Sequence, residues 1–399
     1  MATLNFSEEV VLPKQADIFP LVRYIRISGT QREIGRRLAQ LARERYDVKL
    51  IQNPSADYGR ARYEYIKKNY PGLMERARGV MDAYNLREDD PSVDATVLCY
   101  SAMDFGCSVI FLPPYFSESG HAMSIRNMDD ASGSLSEMIG RPRRPGEGDL
   151  FSEIYIFAIH PSDGYASLFI STLDLLGDAV DGVNEHGLSL YGLVDRGVPM
   201  NMVRPSGSRD IGLNEFQAAR MVLETCRNCD EAKMALLTNK IFFMIKGLHF
   251  LVGDSTGNSF VWEVNQEDGQ DYIQDGGGRP HILTNNPIWM MPPPERWPQK
   301  FEDLYDPLNR YRILTEAISA NGNNKFSEQW MIKAAESVFP KKPSTALGGP
   351  QVLLRPLWNV IYDITARSMK VRFWLKDGGS NRDNDPVLIM SDWFNFKLD

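Results

Sequence analysis

A glycine-cysteine pair, Gly106-Cys107, begins a strand-like apolar run and offers a nucleophile that needs no histidine. If the bond between the two residues breaks, Cys107 becomes N-terminal and carries both a thiol and an α-amino group. The reference pKa of an α-amino group is about 7.7–8.0 and that of a thiol about 8.5, so a modest electrostatic bias moves the proton from thiol to amine. Pairing a nucleophile with an N-terminal amine is an established catalytic arrangement. Glycine suits the residue before the cut, because its missing Cβ lets the thiol approach the carbonyl.

Taken alone, a Gly-Cys dipeptide more often marks a buried structural cysteine than a nucleophile, so the rest of the sequence has to distinguish the two. The 399 residues are 43% hydrophobic and 24% charged, which is typical of a globular protein with one large or two unequal domains. A net charge of -8 argues against a nucleic-acid partner. The first residues carry no signal-peptide pattern and no segment is apolar over a membrane-spanning length. We therefore expect no membrane association and a cytoplasmic location.

Four cysteines are too few for a disulfide scaffold in a chain of this length, so reduced thiols are expected. Cys226 and Cys229 have the CxxC spacing of a zinc or redox site, but they follow a segment of helical periodicity, Asn214–Glu224. The sequence contains no second CxxC and no HxxxH pair. The histidines lack metal-ligand spacing and are expected to be structural: His121, His160, His186, His249 and His281. We predict a helix end at the CxxC, with no metal and no cofactor.

The chain changes character at the Gly-Cys pair. Residues up to about 106 are predicted to be mostly helical, with helices at Thr30–Tyr46, Tyr58–Asn69 and Leu73–Tyr84 and a fourth from Asp90-Pro91 toward Met103. Beyond Cys107, strands are predicted at Ala122–Arg126, Glu153–His160, Tyr165–Ser171, Leu188–Leu193, Phe250–Gly253, Phe260–Val264, His281–Thr284, Leu357–Asp363 and Val371–Leu375. Helices return at Asn214–Cys226, Asn309–Asn321 and Ser327–Val338, and Ser132–Asp149 is predicted to be a long loop, a possible lid. Blocks of strands and blocks of helices indicate an α+β fold, and we expect two packed sheets covered by helices.

Five motifs occur in one order along the chain: Gly106-Cys107, Arg126-Asn127-Met128-Asp129, Asn184-Glu185-His186-Gly187-Leu188, Leu283-Thr284-Asn285-Asn286-Pro287 and Asn309-Arg310-Tyr311. Together they resemble the N-terminal nucleophile (Ntn) cysteine hydrolases, and within these the penicillin acyltransferase group, which is related to choloylglycine hydrolases and penicillin V acylases. The resemblance runs from about Gly29 to the C-terminal strands. It implies a four-layer αββα sandwich preceded by a mostly helical N-terminal segment. It also implies a precursor cut into a small chain, 1–106, and a catalytic domain, 107–399.

The same resemblance assigns roles at the cut. Cys107 would be the nucleophile and its freed amine the base. Arg126 and Asp129 match the family's arginine and aspartate beside the cysteine, where the guanidinium favours the thiolate and the carboxylate holds the ammonium form. The alternative for these two residues is a surface ion pair.

Further roles follow from the later motifs. Asn285 matches the family's oxyanion asparagine, although such a string is by itself more often a strand-to-turn junction. Arg310 matches a second positive group near the nucleophile, with Arg312 as a rival. The Asn184–Leu188 motif is interpreted as a hairpin turn with a positive φ at its glycine. An apolar segment, Ile288–Trp297, directly follows the asparagine motif and is either an acyl pocket or ordinary core packing.

The leading hypothesis is a self-processing thiol amidohydrolase or acyltransferase that acts on a small-molecule N-acyl amide. It would form a thioester at Cys107 and pass the acyl group to water or an amine. The small chain would stay bound after cleavage, because its apolar helix faces need a partner surface. Two other hypotheses remain: a non-catalytic, unprocessed binding protein with Cys107 buried, and a zinc protein using Cys226 and Cys229. The sequence leaves open the acyl group, the amine and the oligomeric state.

Overall fold

Two large β-sheets packed face to face form the centre of the protein. The computed structural model describes residues 4–101, 105–138, 141–198, 211–244, 247–265, 269–301, 303, 305–341, 344–345, 351–352, 354–382 and 384–398. In these residues the first sheet contains nine strands in the spatial order β1 (Asn5–Leu12), β2 (Leu21–Gly29), β7 (Glu153–Pro161), β8 (Ser167–Ser171), β9 (Asp181–Asn184), β10 (Leu188–Val194), β13 (Leu248–Asp254), β14 (Ser259–Val264) and β15 (Asp271–Asp275). The second sheet has the order β16 (His281–Thr284), β5 (Phe105–Leu112), β6 (Met123–Ala131), β19 (Leu354–Asp363), β20 (Ser368–Ser380) and β21 (Pro386–Met390), and β22 (Phe394–Lys397) also pairs with β20. Short pairs join β3 (Ile51–Gln52) to β4 (Val93–Asp94), β11 (Leu213–Asn214) to β12 (Ile241–Phe242), and β17 (Ser344–Thr345) to β18 (Gln351–Val352).

Helices cover the outer faces of both sheets. The α-helices of the described residues are α1 (Gln31–Tyr46), α2 (Ala56–Asn69), α3 (Pro71–Ala83), α4 (Leu135–Met138), α5 (Glu215–Thr225), α6 (Cys229–Thr238), α7 (Pro307–Ala320) and α8 (Glu328–Ser337). α5 and α6 pack on β9, β10, β13 and β14, whereas α7 contacts β16 and α8 contacts β6.

Between the sheets, Gly253 lies against Phe111, and a Cβ on this glycine would be 2.4 Å from the phenyl ring, so glycine permits the close approach. The predicted αββα sandwich is confirmed.

The first part of the chain supplies two strands of the nine-stranded sheet as well as helices. α1, α2 and α3 lie where helices were predicted. The strands β1 and β2 were not predicted: β2 pairs in parallel with β7, and β1 pairs antiparallel with β2 at the sheet edge. β1 carries charged Glu8 and Glu9, half of its residues are exposed and none is buried, which is typical of an edge strand.

The fourth predicted helix, from Asp90 toward Met103, is wrong over the described residues, and 102–104 lie outside them. The segment forms β4 and turns instead. The Asp90 side chain accepts from the backbone nitrogen of Ser92, so it stabilises a local turn rather than a helix start. Asp94 in turn forms a buried ion pair with Arg62 of α2. Tertiary pairing has therefore overridden a local capping signal.

Two loops differ in how well they were predicted. The predicted loop Ser132–Asp149 contains the one-turn helix α4, and its residues 139–140 lie outside the described residues. The hairpin between β9 and β10 is confirmed, since Gly187 has φ +71° and Oδ1 of Asn184 accepts from the nitrogens of His186 and Leu188.

In the described part of the chain, no helix combines the length and the apolar character needed to cross a membrane.

Candidate active site

Cys107 lies fully buried in β5, and three strands bring its partners to it. β5 pairs with β6 on one side and with β16 on the other. The thiol sulfur is 3.3 Å from Nη2 of Arg126 and 3.6 Å from Sδ of Met128. Its backbone nitrogen donates to Oδ1 of Asn285 over 2.7 Å. Burial raises the pKa of the Cys107 thiol to about 12, and the guanidiniums of Arg126 and Arg310 oppose this rise.

Arg126 is held by a carboxylate that the sequence did not identify. Its Nη1 is 2.9 Å from Oδ2 of Asp181, and both side chains are fully buried. Nη2 also donates to the backbone oxygen of Gly192 over 2.9 Å. Asp181 itself accepts hydrogen bonds from Trp358 and Tyr362. The alternative of a surface ion pair between the arginine and aspartate of the motif is therefore wrong.

Asp129 lies directly across the ladder from Gly106 and is fully buried. The hydroxyl of Tyr305 donates to its Oδ2 over 2.6 Å. Its Oδ1 has no hydrogen-bond partner among the described residues. Burial raises the pKa of Asp129 to about 7, against the opposing effects of Arg310, Tyr305 and Arg126. A carboxyl with this pKa can change protonation state near neutral pH.

Asn285 follows β16 immediately and is fully buried. Its Oδ1 accepts from the Cys107 nitrogen, and its Nδ2 donates to the backbone oxygen of Val194 over 2.8 Å. Its own backbone oxygen accepts from the nitrogen of Arg196 at 3.0 Å. The end of β10 thus fixes the asparagine through both its side chain and its backbone.

Arg310, rather than Arg312, reaches the cysteine. Arg310 lies in the first turn of α7, and its Nη2 donates to Oδ1 of Asn285 over 2.7 Å. Its Nη1 donates to the backbone oxygen of Cys107. Arg312 instead donates to Oδ1 of Asn309 over 3.0 Å. The five predicted residues, Cys107, Arg126, Asp129, Asn285 and Arg310, are therefore brought together around the Gly106–Cys107 bond.

Tyr305 was missed by sequence reasoning, although it touches several of these groups. The Arg310 guanidinium lies 4.3 Å from the centre of its ring, and Nε of Arg310 donates to its backbone oxygen over 3.1 Å. A signal for its position exists in Asp306-Pro307, an N-cap followed by a first-turn proline. That signal puts Tyr305 at the start of the helix that carries Arg310.

A second buried polar cluster lies behind Asn285. Asp195, His249 and Glu263 each offer a ligand atom, and these atoms lie within 4.8 Å of one another. Both oxygens of Glu263 accept backbone N–H groups, from Ile288 and Trp289, and its Oε2 is 3.2 Å from Nδ1 of His249. Within the described residues, Nε2 of His249 and Oδ2 of Asp195 have no partner. The hydrogen bonds of Glu263 fit a role in holding the loop after Asn285.

The CxxC pair marks a helix boundary, as predicted. Cys226 is the C-cap of α5 and Cys229 is the first residue of α6, and both are buried. Among the described residues, neither belongs to a group of three side chains able to hold a metal. In the apolar segment after Asn285, Ile288 packs in the core whereas Met290 is 54% exposed.

Residues 147–288 match the model of the acyl-coenzyme A:6-aminopenicillanic acid acyl-transferase family. The family resemblance predicted from the sequence is confirmed. The prediction of an enzyme of the amide hydrolase or acyltransferase class is confirmed. The acyl-transferase match includes Asn285 and excludes Cys107, Arg126, Asp129 and Arg310.

Solved structures with low similarity also match. The C2A mutant of conjugated bile acid hydrolase from Clostridium perfringens has 15% identity and a TM-score of 0.45, over 73% of this chain and 97% of that one. Penicillin V acylase from Agrobacterium tumefaciens has 16% identity and a TM-score of 0.44, over 72% of this chain and 86% of that one. No curated protein matches the chain.

Proposed function

We propose that the protein is a self-processing cysteine amidohydrolase or acyltransferase that acts on small N-acyl amides through a Cys107 thioester. The observation that carries this proposal is the set of polar contacts made by one residue, Cys107, through its sulfur, its nitrogen and its carbonyl oxygen. Arg126 contacts the sulfur of Cys107, Asn285 accepts from its nitrogen, and Arg310 donates to its carbonyl oxygen. A cysteine with only a structural role needs none of these three polar contacts.

Self-cleavage is the first step of the proposal. The Cys107 sulfur, having given up its proton, attacks the carbonyl carbon of Gly106. The peptide C–N bond then breaks, the departing nitrogen takes a proton, and a thioester joins Gly106 to the sulfur. Water hydrolyses this thioester, which leaves a carboxylate on Gly106 and a free thiol beside a new α-amine on Cys107. Asp129 lies opposite Gly106 with one oxygen unpartnered among the described residues, a position suited to hold the new ammonium group.

Acyl transfer then uses the same groups. The amine of Cys107 takes the thiol proton, and the thiolate attacks the carbonyl of an amide substrate. The amine of the substrate leaves with a proton, and the acyl group stays on the sulfur as a thioester. Water or a second amine releases it. Arg126, at 3.3 Å, stabilises the thiolate, and the amide of Asn285 is the candidate donor to the oxyanion.

Retention of the small chain, 1–106, is supported by the contacts between the two parts. β2 pairs with β7 along all nine of its residues. In addition, Arg76 of α3 forms a fully buried ion pair with Glu224 of α5. Sheet pairing and buried charge pairing of this extent should hold the two chains together after the cut. The division at residue 106 is part of this proposal.

The decisive experiment is the intact mass of wild-type protein under denaturing conditions, with N-terminal sequencing of the larger fragment. We expect two chains, the larger beginning at Cys107, and a single chain for Cys107→Ala. Cys226→Ala, a buried cysteine outside the site, should still be cut. Amide substrates offered with and without hydroxylamine then distinguish hydrolysis from transfer, because an acyl-enzyme open to amines yields hydroxamate.

One observation favours a second candidate, an unprocessed binding protein. Cys107 is fully buried and burial raises the pKa of its thiol to about 12, which is the character of an inert cysteine. A wild-type protein that remains one chain of 45.2 kDa, with Cys107 resistant to alkylation, would establish this alternative and contradict the proposed self-processing.

A further inference from the structure

Tyr305 fills the space beside the α-carbon of Gly106. A Cβ added to this glycine would lie 2.3 Å from the phenol oxygen and 2.9–3.0 Å from two ring carbons, Cε1 and Cζ. A carbon this close to a phenol oxygen that it is not bonded to would overlap it, so a side chain at position 106 requires the phenol to move. The surface that faces Gly106 therefore accommodates only an α-carbon that bears two hydrogens.

The phenol is held in this place by groups other than Gly106. Its hydroxyl donates to Asp129, its ring stacks under the Arg310 guanidinium, and its backbone oxygen accepts from Nε of Arg310. Its backbone nitrogen also donates to Oδ1 of Asp303 over 2.8 Å. Since none of these contacts involves residues 1–106, cutting the chain after Gly106 leaves all of them in place. The phenol should remain where it is in the processed enzyme.

From this geometry we infer that Tyr305 selects substrates whose acyl group is unbranched at the carbon next to the carbonyl. The inference rests on the proposed function. One sulfur attacks both the Gly106 carbonyl and the substrate carbonyl, with Arg126 and Asn285 fixed around it. The substrate carbonyl must then take the place of the Gly106 carbonyl, and its α-carbon the place of the Gly106 α-carbon. A substituent there meets the phenol, as a side chain at position 106 would. The substrate class is amides of straight-chain or other α-methylene acids.

The substrate test compares hexanoyl and 2-methylhexanoyl p-nitroanilide, which differ by one α-methyl group. We expect kcat/KM of the wild type to favour the unbranched amide by about 10-fold to 200-fold, the discrimination that one misplaced methyl group gives. Tyr305→Leu should reduce this preference to less than about 3-fold. Tyr305→Phe should keep most of it, because the two ring carbons alone are too close to a substituent. Tyr311→Leu, at a tyrosine of α7 that packs on Trp297, is the control and should keep the wild-type ratio.

A second test uses the chain as its own substrate and does not depend on the choice of amide. Gly106→Ala should slow self-cleavage by at least 10-fold, and adding Tyr305→Leu should restore part of the lost rate, as followed by intact mass. Equal cleavage of glycine and alanine at position 106, or equal use of both anilides by a wild type that cuts itself, overturns the inference and leaves the proposed function standing. A wild type that neither cuts itself nor hydrolyses hexanoyl p-nitroanilide overturns the proposed function, and the inference falls with it.

Discussion

The backbone nitrogen of Cys107 donates to Oδ1 of Asn285 over 2.7 Å, although 178 positions separate the two residues. The contact arises because β16 pairs with β5, with Thr284 opposite Ser108. The same oxygen accepts from Arg310, which also donates to the Cys107 carbonyl. Asn285 is thus positioned to orient the bond that breaks and, afterwards, the amine that the break creates.

Removing this amide should slow self-cleavage. Asn285→Ala removes the acceptor for the Cys107 nitrogen and the candidate oxyanion donor, and we expect a loss of about 10²-fold to 10³-fold in the cleavage rate. The measurement is the uncut fraction by intact mass over time. Asn286→Ala is a neighbouring control, since its side chain donates only to the backbone oxygen of Pro287 in the described contacts. Wild-type cleavage by Asn285→Ala would remove the residue from the mechanism.

Asp129 should make the uncut protein less stable as the pH rises. Its pKa is about 7 in the fold against 3.8 for an ordinary aspartate, so the folded state binds the proton more tightly than the unfolded state. The stabilisation is complete below pH 3.8 and is lost as the pH rises to about 7. In a Cys107→Ala background, Asp129→Asn should therefore raise the free energy of unfolding at pH 8 by up to about 4 kcal/mol, with little change at pH 4.

Urea unfolding at both pH values measures this difference. Asp392→Asn, at an exposed aspartate, is the control and should change stability equally little at pH 4 and pH 8. In protein that retains Cys107 and has been cut, Asp129→Asn should also slow acyl transfer, because the amide cannot hold the ammonium group of Cys107 by charge. A stability gain that is the same at pH 4 and pH 8 would show that the carboxyl does not titrate as proposed.

The residues at the centre of the site were predictable because each lies in, or directly next to, a strand or helix with a strong local signal. Cys107 begins an apolar run, Asn285 ends one, and Arg310 follows an N-cap and proline. The family resemblance then indicated that these residues belong to one site. Sequence alone did not decide between Arg310 and Arg312, since both lie on α7. Only the direction of the helix relative to β5 brings the first of them to Cys107.

Asp181 and Tyr305 were not predictable in the same way. Neither lies in one of the five motifs, and each acts through a partner that is distant in sequence, Arg126 and Asp129 respectively. The polar cluster of Asp195, His249 and Glu263 was missed for the same reason, because three different segments contribute to it. Buried polar pairs are a property of the assembled sheets, and local periodicity carries no information about them.

A buried charge should decide whether the small chain stays bound. Glu224 forms ion pairs with both Arg76 and Arg220, and Tyr70 donates to it. Glu224→Gln leaves two guanidiniums without their carboxylate, and we expect a loss of about 3–5 kcal/mol in unfolding free energy. In the processed protein, the fragment 1–106 should then dissociate at lower urea concentration, as seen by size-exclusion chromatography with mass detection.

The matched control for that substitution is Glu231→Gln. Glu231 pairs with Arg227 on an exposed face, where one ion pair contributes less than about 1 kcal/mol. If the fragment leaves Glu224→Gln and Glu231→Gln at the same urea concentration, the buried pair does not hold the small chain.

Asp181 should affect the rate of self-cleavage only by holding Arg126 in place. Both side chains are fully buried, so Asp181→Asn leaves the guanidinium without a counter-charge, at a cost of about 3–5 kcal/mol in unfolding free energy. It also frees Arg126 from the geometry that puts Nη2 at 3.3 Å from the sulfur, so the thiolate loses its stabilising cation and cleavage slows. Tyr362→Phe removes one hydrogen bond to Asp181 and keeps the ion pair, so it should cost about 1 kcal/mol and leave cleavage nearly unchanged.

Both variants are compared by intact mass under conditions where circular dichroism shows each to be folded. A folded Asp181→Asn that cleaves as fast as Tyr362→Phe would mean that the sulfur does not depend on Arg126, and the role of the guanidinium would have to be assigned to Arg310.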